Sequence, residues 1–289
     1  MKHAFIITAY KDFDLLERML SIYTEKYDID CYVHVDKRSR GHKSVIRRLG
    51  ANPNVVAISK YRVNWGSIYH PLCMMELLKV ACEKCYDYYH FIPANAFIGV
   101  DPGEFHSFWK DDGMSFIEHI DFKGSASEKD LREWYEYYHF AHIYNKKGAH
   151  ASLVDNIEYY GIKIQKKLGI KRKIDYDYKG YLYCHLTNEA VSYVIGYLRT
   201  HREYIRQLKY CHVCEEFFFQ NILLNSYLSD KIVNDSLIFD DWSEGRERPA
   251  ILNLSDYEAF LSSGKIFLRK IEEKHDSMEL FGKIEREIL

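Results

Sequence analysis

The sequence predicts a three-layer α/β/α sandwich built on a mostly parallel central sheet. Strand-like and helix-like apolar patterns alternate through the first 120 residues, and parallel strands need such helical crossovers between them. Right-handed crossovers then place helices on both faces of the sheet. The 289 residues, 47% hydrophobic and 28% charged, suit one large domain with a sizeable core.

Taken in order, Ala4–Thr8 reads as a buried strand, and Phe13–Tyr27 spaces its apolar residues as a helix does. Cys31–Val35 is a second strand, followed by a basic helix around His42–Leu49, and Val55–Ile58 is a third. Ser67–Ala81 is a helix with Pro71 near its first turn, where a missing N–H is tolerated. Tyr88–Ile92 and Met114–Glu118 complete a run of five strands. Beyond Asp121 the alternation breaks up. Asp130–His142 is aromatic and polar, Lys163–Lys173 is basic, and Tyr181–Leu186 is strand-like. Helices are expected at Asn188–Arg199 and Glu215–Asn225, and a charged helix closes the chain. No repeat, flexible linker or low-complexity segment interrupts it, so residues 1–289 read as a single domain.

Composition narrows the function classes. A net charge of −2 argues against a nucleic-acid partner, which wants a basic face. Lys163–Lys173 (KIQKKLGIKRK) reads as a solvated helix and loop, or as a patch facing anionic lipid or an anionic acceptor. No apolar run approaches the roughly 18 residues of a membrane span, and the N-terminus lacks a signal-peptide layout. With seven Cys, an odd number, the expectation is a reduced cytoplasmic setting with at most peripheral contact at the inner membrane face. The 25 Tyr exceed what a core requires and suit sugar-facing or interface surfaces.

Several motifs are excluded or weighed. There is no GxGxxG after Ala4–Thr8 and no GxxxxGK[ST], which removes dinucleotide and P-loop chemistry. The pairs Cys82/Cys85 and Cys211/Cys214 have zinc-like spacing, but the first pair ends a helical stretch and free Cys commonly packs as a small apolar residue. In DCYVHVDKRSR an apolar strand ends in Asp36 and turns into Lys37, Arg38 and Arg40, at the place where α/β folds form their ligand crevice. A metal-held diphosphate there wants a DxD pair, and Arg38 occupies the second acid position. The DxD strings at Asp12/Asp14, Asp28/Asp30 and Asp175/Asp177 read as caps and turns. No metal is expected, and side-chain cations must neutralise any bound diphosphate. Glu215 and Glu216 open an apolar helix, where Glu215 complements the helix dipole and Glu216 is placed to stay ionised as a general base. In SSGKIFLRK an apolar stretch ends in Arg269 and Lys270, a pair that can replace a metal on a phosphate leaving group.

Together these segments resemble the core-2/I-branching β-1,6-N-acetylglucosaminyltransferase family, which includes the peptide O-xylosyltransferases. The strings AFIITAYKDFDLLERML, CYVHVDKRS, VNWGSIYHPLCMMELL, YDYYHFIPANAFIGVDPGEF, GYLYCHLTNEAVSYVIGYL, CEEFFFQNILLNS, DDWSEGRERPAIL and FLRK follow the family's order and spacing over nearly the whole chain. The resemblance implies a GT-A-like fold and an inverting, metal-independent transfer from a UDP-sugar to a glycan hydroxyl. N-acetylglucosamine and xylose are the family's donor sugars, and surface polysaccharide is the expected product. Residues 1–121 would then bind the nucleotide, and 122–289 would supply the acceptor side and the catalytic groups. By the family's PDE string Glu216 takes the place of the base, with Glu215 on the acceptor side. By its FaRK string Lys270 takes the place of a cation on the diphosphate, with Arg269 beside it. Asp36, Lys37, Arg38 and Trp65 fall on the donor side, and Trp242 lies in the loop that shapes the acceptor side.

The chain departs from the pattern in places. Where relatives carry an SGxDyPI string, it has Pro93-Ala94-Asn95-Ala96-Phe97-Ile98-Gly99, so Ala96 replaces an Asp. The PDE string becomes Cys214-Glu215-Glu216. An Arg before the tryptophan loop is missing, with Ser236 near its place and Arg246 and Arg248 as stand-ins. These departures leave a second reading, a nucleotide-sugar or glycan-binding protein without turnover, and a third, a scaffold that uses its Tyr-rich surface.

Overall fold

The computed structural model describes residues 1–110, 113–145, 151–243 and 248–289. In chain order the strands are β1 (His3–Ala9), β2 (Ile29–Val35), β3 (Val55–Ile58), β4 (Tyr88–Pro93), β5 (Phe97–Ile98) and β6 (Ser115–Phe116). They continue as β7 (His119–Asp121), β8 (Tyr178–Gly180), β9 (Cys184–Thr187), β10 (Ile232–Val233), β11 (Ile238–Asp240) and β12 (Phe267–Arg269). A seven-stranded sheet in the order β10-β6-β9-β4-β1-β2-β3 forms the centre, with β11-β12-β5 as a smaller sheet and β7-β8 as a ribbon. The four expected strands at the head of the chain are present and parallel to one another.

β1 shows why the layers number three. Phe5, Ile7 and Ala9 enter one core with Leu16, Met19 and Leu20 of the helix Phe13–Lys26 and with Phe281 of the last helix, His275–Glu287. Ala4 and Ile6 enter a second core with Met74, Leu77 and Leu78 of the helix Tyr69–Ala81. Successive strand residues point to opposite faces, so an unbroken apolar run becomes a strand covered on both sides. This is the mixed α/β architecture with a mostly parallel central sheet that was expected.

The second half corrects several expectations. Met114–Glu118 was to be a fifth parallel strand, but it contributes only Ser115–Phe116, which pairs antiparallel with β9. The strand expected at Tyr181–Leu186 starts at Cys184 and takes the free edge of β4, antiparallel to it. Strands of two or three residues carry no readable period, and pairing across about 95 positions leaves no local signal. The helix expected over Glu215–Asn225 is a 3₁₀ turn, Cys214–Phe217, followed by a short α-helix, Phe218–Leu223. Asp12 stands at a helix N-cap in the left-handed region, yet its carboxylate meets Lys11 at 3.2 Å instead of capping. Asp175 and Asp177 pair with Lys123 instead of capping a helix or a turn. Within Lys163–Lys173, Arg172 is buried and donates to the carbonyls of Tyr135 and Gln207, so it is an anchor.

Three histidines cross the sheet as a hydrogen-bonded chain. His185 Nε2 donates to the Ser236 carbonyl at 2.9 Å, which leaves its Nδ1 to accept from His90 Nδ1 at 3.0 Å. His90 Nε2 then accepts from His3 Nδ1 at 3.0 Å, and His3 Nε2 ends the chain without a partner. Every donor has an acceptor only if all three rings are neutral. Burial drives His3 down to about 3 and His185 to about 4, and it takes His90 well below 6.5. Because the folded pKa values lie below the unfolded value of 6.5, this stabilisation is complete above pH 6.5 and is lost as pH falls from 6.5 toward 4. The expected slope is about 1.4 kcal/mol per pH unit for each fully shifted ring. Thermal melts from pH 7 down to pH 4.5 should show Tm falling steeply below pH 6.5, and a level Tm would contradict the neutral chain.

Candidate active site

The C-terminal ends of β1, β2 and β4 form one rim of the sheet, where α/β folds bind ligands. Asp36 follows β2 directly, its N–H bonded to the Ala9 carbonyl at 2.9 Å. Its buried carboxylate accepts the N–H of Arg38 at 2.7 Å and that of Val63 at 3.1 Å, and it meets the Arg38 guanidinium at 3.5 Å. Arg38 in turn donates to Asn64 Oδ1 at 2.8 Å and to the Val63 carbonyl. Asp36 thus organises the turn and the segment leading to Trp65, which is 39% exposed. Lys37 stays on the surface, with its main-chain N–H donating to the Tyr61 carbonyl at 3.0 Å.

Gly66 couples this donor-side loop to the acidic turn. Its φ is +70°, and a Cβ there would stand 3.3 Å from Val213 Cα. The Gly66 carbonyl also accepts the Cys214 N–H at 3.2 Å. Only glycine offers both the left-handed backbone and the close approach. The following residues diverge. Glu215 is buried, facing His70 Nδ1 at 3.5 Å, and His70 Nε2 lies 3.0 Å from Thr8 Oγ1 at the end of β1. The second oxygen of Glu215 is buried without a partner. Dipole complementation, the role read from its position at a helix start, therefore misses its main contact. Glu216 turns instead toward Lys179 of β8, at 2.5 Å, and Lys179 lies 4.9 Å from the centre of the Trp134 ring. Burial pushes the Glu216 carboxyl above its ordinary 4.5, against the pull of Lys179. The expectation that a helix N-terminus keeps it ionised gives way to a half-buried ion pair at a 3₁₀ turn.

Arg269 ends β12, and its guanidinium carbon lies 5.4 Å from the Tyr181 ring centre and 5.2 Å from that of Tyr183. The residue is 8% exposed, its Nε has no partner, and among the described residues no carboxylate forms an ion pair with it. Burial lowers its pKa to about 10. Lys270 donates to the Pro249 carbonyl at 2.8 Å; burial first, then the Arg269 charge, lower it to about 8. Arg248, one expected stand-in, stands close enough to contribute to that lowering, and Arg246 lies outside the described residues. Asp240 pairs with Arg269 in the strand register, yet it accepts the Tyr181 hydroxyl at 3.0 Å and the indole of Trp242. Burial raises it to about 6. Tyr183 joins the two halves of the rim, since its ring meets His70 edge-on at 6.2 Å and Arg269 on its face.

The structure therefore gathers Asp36 and Arg38 in one cluster, Glu215 and Glu216 in a second, and Arg269, Lys270 and Trp242 in a third. His70, Lys179, Tyr183 and Asp240 were missed; each acts across more than 25 positions of sequence. Ala96 is fully buried, with its carbonyl receiving the Tyr23 hydroxyl at 2.9 Å. Asn95 accepts the Ile271 N–H on its carbonyl at 2.9 Å, and its side-chain oxygen is buried and unbonded beside the Arg269–Ile271 segment. His139, Glu158 and His212 hold ligand atoms within 4.8 Å of one another, and exposed His275, Asp276 and Glu279 do likewise. Among the described residues neither cluster includes a cysteine, so the CxxC pairs build no such group.

The core-2/I-branching enzyme family matches residues 3–260. The chain belongs to that family. Its members are glycosyltransferases, and the match spans the rim from β1 to the helix before β12. No curated protein matches the chain by sequence. Among solved structures it is similar to the apo bifunctional glycosyltransferase WbbM, at 15% identity and a TM-score of 0.46, covering 98% of this chain and 49% of that one. It is similar to S. aureus TarS 1–349 in complex with UDP-GlcNAc, at 15% identity and a TM-score of 0.31, covering 40% of this chain and 34% of that one. It is also similar to mouse xyloside xylosyltransferase 1, at 9% identity and a TM-score of 0.37, covering 92% and 96%. The chain thus spans about half the length of WbbM and about a third of TarS 1–349.

A pH profile follows from these environments. With Glu216 as base, kcat/KM should fall on the acid side through a pKa above 4.5. On the alkaline side it should fall near pH 8, as Lys270 loses its proton. Lys270→Arg should move that alkaline limb upward, and an unmoved limb would exclude Lys270 as its source.

Proposed function

We propose that the chain is an inverting glycosyltransferase that moves a sugar from a UDP-sugar to an acceptor hydroxyl of a glycan, with side-chain cations in place of a metal on the diphosphate. The observation that carries this reading is Arg269, a buried guanidinium packed against two mutually perpendicular tyrosine rings without an anionic partner among the described residues. A buried charge is costly unless an opposite charge meets it, and a planar donor fork suits phosphate. Lys270, next in sequence, adds a second cation. The family's string order supports the donor class, with N-acetylglucosamine or xylose as the sugar and surface polysaccharide as the setting.

In this mechanism the acceptor hydroxyl attacks the anomeric carbon opposite the leaving UDP. Glu216 accepts the hydroxyl proton as the bond forms, and a raised pKa makes it the stronger base. Lys179 favours its ionised form and holds the carboxylate, with its own ammonium 4.9 Å from the centre of the Trp134 ring. Arg269 and Lys270 stabilise the charge that develops on the departing diphosphate. Asp36 and Arg38 shape the loop on the nucleoside side, and Trp242, fixed through Asp240, walls the acceptor side.

A second reading, binding of a nucleotide sugar without turnover, draws on the methyl of Ala96 where relatives carry a carboxylate and on the close Lys179–Glu216 pair. Glu216→Gln decides between them. Under the transferase reading it keeps donor KM while kcat falls by roughly 10²–10⁴-fold. Addition of Mn²⁺ or Mg²⁺ should leave wild-type turnover unchanged. Donor binding with neither transfer nor hydrolysis in the wild type selects the second reading, and strict Mn²⁺ dependence removes the cation-only diphosphate site.

A further inference from the structure

The helix Ala151–Lys167 is amphipathic in the reverse of the usual sense. It has no buried residue. Leu153, Ile157, Tyr160 and Ile164, with Leu168 just past its end, recur at intervals of three or four, which places them on one side of a helix. These five side chains are 56% to 66% exposed, so the apolar stripe faces outward. The opposite side holds the helix to the protein through polar groups. Glu158 meets His139 Nδ1 at 2.7 Å, and Gln165 accepts the Tyr138 N–H at 2.8 Å while donating to the Tyr138 carbonyl at 3.1 Å. Monomeric proteins rarely leave a contiguous stripe of large apolar residues in water.

The charge beside the stripe selects its occupant. Lys163 and Lys167 lie on the helix, and Lys171 and Lys173 lie in the loop that follows, all exposed. Lys167 and Lys173 form no ion pair among the described residues, and Lys163 rests on the Tyr159 ring at 4.2 Å. Lys166 and Lys171 are tied to Glu133 and Glu136, so the free cations sit at the C-terminal end of the stripe. An outward apolar face flanked by lysines and a tyrosine is the composition of a helix that lies in a bilayer interface, with its lysine stems along the apolar surface and their ammonium groups at anionic headgroups. We propose that Ala151–Lys167 is an interfacial helix that seats this protein on an anionic lipid surface. Leu153, Ile157, Tyr160, Ile164 and Leu168 enter the acyl boundary, and Lys163, Lys167 and Lys173 meet the headgroups.

This inference goes beyond the transferase reading and is tested without any sugar. Sedimentation with vesicles of phosphatidylcholine plus about one-third phosphatidylglycerol is compared with pure phosphatidylcholine, at low and high salt. The protein should pellet with the anionic vesicles at least tenfold more than with the neutral ones, and high salt should weaken the binding. Ile157→Ser/Ile164→Ser and, separately, Lys167→Glu/Lys173→Glu should each reduce binding about tenfold or more while far-UV circular dichroism and Tm stay those of the wild type. A Tyr160→Trp variant gives an emission that shifts to the blue only with anionic vesicles. Equal pelleting with and without anionic lipid overturns the proposal, as does undiminished binding by both double variants. A light-scattering mass that is dimeric in the wild type and monomeric in Ile157→Ser/Ile164→Ser also overturns it, because a second copy then covers the stripe.

Discussion

Burial of one cation without its anion sets the terms for the whole rim. Arg269 cannot be placed among apolar side chains at low cost, and the fold sets two tyrosines against it with no carboxylate paired to it among the described residues. Asp240, the one acid in register with it, is turned away to the Tyr181 hydroxyl and the Trp242 indole. A buried cation of this kind is destabilising, and an anion that met it would recover part of that cost. The smaller sheet carries this residue: β12 lies between β11 and β5, and β5 follows directly on the loop from β4. The cation is therefore anchored to the end of the central sheet through Asn95, whose carbonyl holds the Ile271 N–H.

The same loop explains the departure at Ala96. The methyl is buried in the core and the carbonyl is occupied by Tyr23, so no polar side chain is missed at that position structurally. The acidic turn shows a parallel logic. Gly66 lets the turn approach the donor-side loop, and from there Glu215 and Glu216 part, one toward Thr8 and His70 at the end of β1, the other toward Lys179.

What was legible in the sequence follows the range of the interaction. β1 to β4 and their helices were readable because each strand is apolar on both faces and each helix follows at short range. Asp36, Glu216, Arg269 and Lys270 were readable as motif positions, and the structure sets them in three clusters, with Glu216 turned toward Lys179. The partners that define their chemistry were not readable. His70 stands 145 positions from Glu215, and Lys179 reaches Glu216 from a three-residue strand with no period of its own. Glu215 was assigned a helix dipole because two acids open an apolar run, but the local geometry is a 3₁₀ turn whose first acid faces inward. In Lys163–Lys173 charge alone drew attention, while the stripe between Leu153 and Leu168 became visible only when the helix was found with its apolar side outward.

The account stands on Arg269 as an anion site that needs no metal. Titration calorimetry of UDP and of uridine, in buffer free of divalent ions, into the wild type and into Arg269→Gln tests this directly. The account predicts that the wild type binds UDP well above uridine, and that Arg269→Gln loses roughly 10²-fold for UDP while uridine binding is unchanged. Equal affinity of both proteins for UDP, or UDP binding that appears only when Mn²⁺ is added, would contradict it.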